Sequence, residues 1–415
     1  MKFLKWENLL VPLILLSFLS TGVNFMQPTF WLDARWVILI LVGIKVYLIP
    51  QRSTVAHVTS IVLIFYVAWC LATTLWSEQP FLSAPKAASM VLVIAVAVRA
   101  GRWWYDTHSE AESLGFLWPY AIVALAASLG GATSTYSTMT VLTGDTHGSN
   151  FLGVVTATAM PLTLWVINSA TGRRRVVAAG VLAWQSWVLY QTISRGGYLI
   201  ALGAATGWLF ARKPGRAAVG ALVIAWVVVT FAVALPQFSA SLLQRNIAKT
   251  GTDGGVLDSR EKNWQESAEA ADLGGWIGVG YGVSAGIVPE MRGMFSYTGN
   301  YGREKGNSQL AIAEETGLVG LALYGLLLVL LFRPMVRCII SSSGPRKATV
   351  SIIAGTLFGP LLQSIVEAWW VGPGSLEFCY FWLVAGVGLA ASRDETLVGR
   401  SAIRRRVVRG LVVRA

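Results

Sequence analysis

The stretch QLAIAEETGLVGLALYGLLLVLLF, residues 309–332, decides the class of fold. Two glutamates lie in its second turn, at 314 and 315, and residues 316–332 then carry no charged side chain. A helix of about 20 apolar residues crosses the ~30 Å of bilayer hydrocarbon. The stretch therefore predicts a transmembrane helix with two carboxylates at its start.

Similar runs recur along the whole chain of 415 residues, of which 54% are hydrophobic and only 13% are charged. A soluble protein carries about 25% charged residues. The composition therefore disfavours a soluble enzyme and excludes a disordered, coiled-coil or collagen-like chain. We predict an all-α polytopic integral membrane protein with about 12 transmembrane helices and one large extracytoplasmic loop subdomain. The predicted spans are 8–26, 35–50, 56–76, 85–100, 114–132, 151–169, 175–193, 197–212, 216–235, 309–332, 348–368 and 375–392.

The basic residues predict the orientation. With the N-terminus inside, 23 of the 33 Lys and Arg residues fall on the cytoplasmic side, and seven of the other ten lie in one long loop. This is the positive-inside pattern, so the net charge of +12 needs no nucleic-acid partner. We predict cytoplasmic termini and four segments: 1–235 with spans 1–9, the loop subdomain 236–308, 309–392 with spans 10–12, and a basic tail, 393–415, on anionic membrane lipids. Residues 2–26 suggest a signal peptide as an alternative, but no small-residue cleavage site follows.

Cysteine and histidine are too sparse for a metal site. The chain has three of each, without a CxxC pair, and His57, His108 and His147 are not at ligand spacing. We therefore expect no metal and no other cofactor.

Charged residues at the predicted outer boundary are the functional candidates. Ser194-Arg195-Gly196-Gly197 leaves no room for a loop between two spans, so we expect its glycines to form a sharp turn that holds Arg195 at the boundary. A snorkelling arginine is the alternative.

The loop 236–308 holds the second candidate. Asp258 or Ser259 is expected to cap a helix that continues to about Asp272, with Arg260 and Trp264 on one face. A helix lying on the membrane surface is the alternative. The glycines at 278, 280 and 282 are not a nucleotide-binding fingerprint, because no strand precedes them.

The third candidate begins the span quoted above. Lys305, Asn307 and Gln309 lead into Glu314 and Glu315, and glycines at 317 and 320 permit close helix packing. Carboxylates that only favour the helix N-terminus are the alternative. Near the last span, the tryptophans at 369 and 370 are predicted to form an interfacial belt.

Together these motifs resemble the O-antigen ligase and polymerase superfamily of bacterial surface-polysaccharide assembly. The resemblance rests on their order and spacing: Gly148-Ser149-Asn150 with Gly153, Ser194-Arg195-Gly196, Arg260 with Trp264, Gly278 with Gly280, and Asn307 with Leu310, Glu315, Gly317 and Gly320. In the similar ligases a histidine, thought to be catalytic, precedes this asparagine, whereas this chain has Gly306.

The resemblance implies a metal-independent glycosyltransferase at the outer face of the bacterial inner membrane. Its donor would be a glycan on undecaprenyl pyrophosphate. A polymerase would transfer the glycan to another lipid-linked glycan, and a ligase would transfer it to lipid A-core. The vacant histidine position favours the polymerase. A polysaccharide or lipid transporter and a non-catalytic assembly protein remain as alternatives.

The predicted site follows from this chemistry. Two arginines offer planar, permanently charged donors to the leaving pyrophosphate, and a carboxylate is expected to replace the histidine as base. The predicted catalytic residues are Arg195, Arg260, Glu315 and Glu304. The predicted substrate-binding residues are Asn150, Trp264, Lys305, Asn307, Gln309 and Tyr301.

Overall fold

The structure, a computed structural model, describes residues 6–26, 30–49, 57–77, 79–136, 139–212, 258–284 and 305–393. We number the α-helices in these ranges in chain order. They are α1 Leu10–Leu19, α2 Phe30–Leu48, α3 His57–Ala72, α4 Pro80–Thr107, α5 Trp118–Leu129, α6 Ser149–Ser169, α7 Gly172–Thr192, α8 Arg195–Ala211, α9 Asp258–Gly274, α10 Ser308–Ser341, α11 Gly344–Gln363 and α12 Leu376–Ala391.

The described chain is mostly helical, and eleven of the twelve predicted spans coincide with one of these helices. The ninth, 216–235, lies outside the described residues, as do most of the loop 236–308 and the tail after residue 393. One feature departs from the all-α prediction. The strands β1 Thr133–Tyr136 and β2 Met139–Leu142 pair antiparallel in a small sheet, where threonine-rich sequence favours extended backbone.

Within the described ranges, four helices are long and apolar enough to cross a membrane: Val58–Leu75, Pro80–Thr107, Ser149–Ser169 and Ser308–Ser341. Large apolar side chains also cover the outer surfaces of several helices, as shown by Leu41, Phe65 and Val329, which are 60%, 61% and 64% exposed. Such surfaces are unfavourable in water and suit lipid. The protein is therefore a helical membrane protein, and the number of spans stays a prediction.

Helix α10 runs nine residues past its predicted end at residue 332, to Ser341. Cys338, which lies beyond the predicted end of the span, is buried in this helix, so the predicted end was wrong. The hydropathy of the sequence falls at Arg333, but the helix continues beyond this residue. Pro334 cannot donate to the Leu330 carbonyl, and the Thr59 hydroxyl donates to that carbonyl instead, at 3.3 Å.

The core surrounds α12, whose side chains are almost all buried. Trp369 and Trp370, predicted as an interfacial belt, are 5% and 1% exposed, so that prediction was also wrong. Trp370 packs against Phe381 with ring centroids 5.1 Å apart. Its indole N–H donates to the Tyr66 hydroxyl at 2.9 Å, and this partner allows a tryptophan to lie in the interior.

Candidate functional site

Helix α8 begins with Arg195 between the start of α6 and the end of α11. The Ser194 hydroxyl caps α8 by accepting from the Gly197 N–H at 3.2 Å, and it donates to the Asn150 carbonyl at 3.3 Å. The turn before α8 is made by Ile193, whose φ is 50°. The predicted glycine turn was therefore wrong, because both glycines lie inside the helix.

Those glycines instead permit close packing at the start of α8. A Cβ on Gly197 would lie 2.9 Å from the backbone carbon of Gly153. A Cβ on Gly196 would lie 3.0 Å from the Gln363 Cγ. We call this region the motif end, the end at which α6, α8, α10 and α12 begin and α11 terminates. Asn150 lies exposed on it and Arg195 is partly exposed.

The start of α10 is fastened to the end of α11. Asn307 caps α10 by accepting from the Leu310 N–H at 2.9 Å, and its amide nitrogen donates to the Ile365 carbonyl at 2.9 Å. The Gln309 amide nitrogen donates to the Ser364 hydroxyl at 2.7 Å. The structure thus joins the 306–309 motif to the Ser194-Arg195 motif through α11.

Helix α9 matches its prediction closely. It begins at Asp258 and ends at Gly274, followed by Gly275 with φ of 54°. The Trp264 indole N–H donates to the Gly306 carbonyl at 3.0 Å, so α9 is attached to the position where the similar ligases have histidine. Of Arg260 the structure describes the helical backbone alone, and Tyr301 and Glu304 lie outside the described residues.

The loop 275–284 after α9 inserts at a break in α10. Gly317, with φ of 69° and ψ of −174°, interrupts the helix. The Val279 N–H donates to the Glu314 carbonyl at 3.0 Å, and the Leu318 N–H donates to the Gly275 carbonyl at 3.1 Å. The glycines of this loop therefore serve backbone packing. Gly317 likewise admits the loop, rather than a neighbouring helix as predicted.

A buried ion pair fixes the loop to α10. The Lys305 ammonium lies 2.7 Å from a Glu315 carboxylate oxygen and 3.4 Å from Glu314. The exposed fractions of these three side chains are 8%, 2% and 0% respectively. The Gly282 N–H donates to the other Glu315 oxygen at 2.6 Å, and Lys86 donates to the Gly282 carbonyl at 2.7 Å. Both Glu315 oxygens therefore have close partners.

Tyr281 anchors the same loop to α4. Its carbonyl accepts from the Ser83 hydroxyl at 2.6 Å, and its N–H donates to the Thr73 hydroxyl at 3.0 Å. Burial raises the pKa of the Tyr281 phenol well above its ordinary value, and the nearby Cys70 and Glu315 raise it further. The phenol is therefore neutral at physiological pH.

The structure also brings in residues that the sequence analysis did not select. Gln363, 1% exposed, lies against Gly196, and its amide nitrogen is 3.5 Å from a Glu377 carboxylate oxygen. A glutamine inside an apolar span was the available signal. Lys86 had a similar signal, because it is a charged residue near the predicted outer end of the fourth span. No group of three or more His, Cys, Asp or Glu residues in the described ranges is arranged to hold a metal ion.

Comparison with known families supports the resemblance. Residues 178–325 match the O-antigen ligase family model. The match runs from α7 into α10 and includes Arg195, Trp264 and the 305–315 segment, whereas Asn150, Gln363 and Glu377 lie outside it. No curated protein matches the chain. The match supports the predicted relation to the O-antigen ligase and polymerase superfamily over this segment. In general, that family implies lipid-linked glycan substrates and a location in the bacterial inner membrane.

Proposed function

We propose that this protein polymerises the repeat units of a bacterial surface polysaccharide. It would transfer a glycan from undecaprenyl pyrophosphate to another lipid-linked glycan, at the outer face of the inner membrane. The observation that carries the proposal is the convergence of separate motifs at the motif end. Asn150, the Ser194-Arg195 turn, Trp264 of α9 and the start of α10 are linked there by direct contacts or through α11.

The two arginines supply the charge that the leaving group needs. Arg195 begins a helix of 17 residues, where unsatisfied N–H groups and the helix dipole favour an anion. Arg260 lies in the first turn of α9, a helix fastened to Gly306. Guanidinium groups bind phosphate oxygens in a bidentate manner. Donors fixed before the reaction stabilise the charge that develops as the glycosidic bond breaks. No step requires a metal.

The remaining predicted residues divide between substrate and scaffold. We propose that Asn150, Gln309 and Tyr301 bind sugar hydroxyls. Trp264, Lys305 and Asn307 hold α9, the 275–284 loop and the start of α10 in place through the contacts described above. We propose that they also bind the substrate. Glu304 stays one candidate for the base among the carboxylates of the chain. For Glu315 to act as a base, the Lys305 pair would have to open.

The test uses purified protein with an undecaprenyl-pyrophosphate-linked oligosaccharide and follows product length. Arg195→Ala and Arg260→Ala should abolish transfer while the protein still accumulates in the membrane. Lysine should rescue only in part, because an ammonium lacks the bidentate fork. Arg174→Ala is the matched control. Arg174 is exposed at the start of α7, whereas Arg195 follows the end of that helix. Normal transfer by both alanine variants would refute the role of the arginines, and loss of the protein would indicate a structural role.

Ligase activity is the second candidate, because the matching family model is described as O-antigen ligase. A deletion strain separates the two activities. Single repeat units on lipid A-core would identify a polymerase, and full-length chains left on the carrier would identify a ligase. Periplasmic activity of a reporter fused after Arg260 would support the proposed orientation with both termini in the cytoplasm, and activity only in the cytoplasm would overturn it.

A further inference from the structure

Glu377 is a carboxylate inside the helix bundle that the resemblance does not assign. It lies in the first turn of α12, outside the segment that matches the family model. Ionisable residues within the membrane part of a protein are costly and mark functional positions by default. A glutamate in the first turn of a helix can also have the structural role of stabilising the positive end of the helix dipole. However, the Ser375 hydroxyl already caps α12 by accepting from the Phe378 N–H at 3.2 Å.

Glu377 differs from Glu315 in its partners. The Glu315 oxygens are held by Lys305 and by the Gly282 N–H. The donors described for the Glu377 carboxylate are neutral: a backbone N–H at Glu377 itself and the amide of Gln363, at 3.5 Å. A carboxylate held by neutral donors can take a proton without losing a cation, whereas an ion-paired carboxylate has to lose its partner first. Glu377 is also partly exposed.

Gln363 connects this carboxylate to the arginine motif. Its side chain lies against Gly196, the residue that follows Arg195. The Gln363 side chain is only 1% exposed. Its amide oxygen is buried and has no hydrogen-bond partner among the described residues. A buried acceptor without a partner costs about 1–3 kcal/mol and calls for an explanation. A substrate hydroxyl that donates to Gln363 would supply the missing bond.

We propose that Glu377 is the general base of glycan transfer and that Gln363 is its positioning residue. The inference rests on the proposed function. The Glu377 carboxylate takes the proton of the acceptor hydroxyl as that oxygen forms a bond to the anomeric carbon of the donor. The bond from this carbon to the pyrophosphate oxygen breaks, and its electron pair leaves with the pyrophosphate, which the arginines stabilise. Gln363 holds the carboxylate through its amide nitrogen and receives a substrate hydroxyl at its carbonyl oxygen.

The experiment compares wild type, Glu377→Gln and Glu377→Asp as full-length protein with the lipid-linked oligosaccharide. Glu269→Gln is the control, because Glu269 is an exposed carboxylate on α9. General-base help is worth about 10²–10⁴ in rate, so Glu377→Gln should lower kcat by that factor while KM changes only a few-fold. Glu377→Asp should retain part of the rate. Gln363→Ala should lower kcat less than Glu377→Gln.

The dependence of kcat on pH separates a base from a structural residue. A base works deprotonated, so wild-type kcat should fall as pH falls through its pKa, and Glu377→Gln should lose this acidic limb. In the described chain Glu377 faces Gln363 of α11 and lies within electrostatic range of the Tyr120 phenol of α5. Neither group ionises in the acidic range, so the limb would belong to the carboxylate.

Three outcomes would overturn the inference while the proposed function stands. They are a Glu377→Gln rate within a few-fold of wild type, a loss that is equal at every pH, and the absence of both Glu377 variants from the membrane. Inactivity of the wild-type protein on every lipid-linked acceptor would instead refute the proposed function, and this inference with it.

Discussion

Replacing Lys305 with methionine should destabilise the contact between α10 and the 275–284 loop. Methionine keeps an unbranched stem but removes the cation that contacts the buried carboxylates of Glu314 and Glu315. Removing one partner of a buried pair costs about 3–5 kcal/mol. Lys86 still acts on Glu315 electrostatically, which places the expected loss near the lower limit. A loss of about 3 kcal/mol raises the unfolded fraction more than a hundredfold.

The assay is a denaturant titration of the purified protein in detergent, followed by tryptophan fluorescence. Glu315→Gln alone should cost less, about 1–3 kcal/mol, because Lys305 keeps Glu314 at 3.4 Å. The double variant should be more stable than the sum of the single losses predicts, by about 0.5–3 kcal/mol. Glu269→Gln, at an exposed position, should change the free energy of unfolding by less than about 0.5 kcal/mol. A Lys305→Met protein as stable as wild type, or strict additivity, would refute the ion-pair argument.

Three further substitutions test the packing of the site. Trp264→Phe removes the donor to the Gly306 carbonyl and should cost about 0.5–1.5 kcal/mol, with a several-fold lower transfer rate in the purified assay; an unchanged rate would separate this hydrogen bond from catalysis. Gly317→Ala should cost at least about 1–3 kcal/mol in the same titration, because this backbone region is almost restricted to glycine; a neutral result would contradict the break in α10. Gly203→Leu should lower accumulation in the membrane by overpacking the α8–α11 contact, whereas Gly180→Leu, with open space around it, should accumulate normally.

The helices were predictable because one physical requirement sets them. Residues that must face hydrocarbon form long apolar runs. These runs locate eleven of the helices in the described ranges, with ends that differ from the predicted ones by up to nine residues. Hydropathy says less about where a helix ends. Helix α10 continues through Arg333 and Pro334 because Thr59 satisfies the carbonyl that the proline leaves free. That hydrogen bond joins residues from distant parts of the chain, so no local pattern reveals it.

The junctions between helices were easier to predict than the contacts made there. The motif containing Arg195 was chosen correctly as a junction, but its glycines pack against α6 and α11 instead of turning the chain. The spacing of residues in the sequence does not show which neighbouring helix packs against a glycine. Trp369 shows the same limit, because an indole suits both an interface and an interior that offers a hydrogen-bond acceptor. Its acceptor, the Pro360 carbonyl at 3.1 Å, is supplied by the folded chain.

The end of α11 explains how a site without the ligase histidine can still hold a base. Ser364 contacts the 306–309 motif, through the Gln309 side chain, while the neighbouring Gln363 contacts Gly196 and Glu377. Adjacent residues at one helix end thus contact Gln309 on one side and a carboxylate on the other. The proposed base at Glu377 would act from α12 instead of from α10. Position 306 would then be free to be glycine, with its carbonyl as the anchor for Trp264.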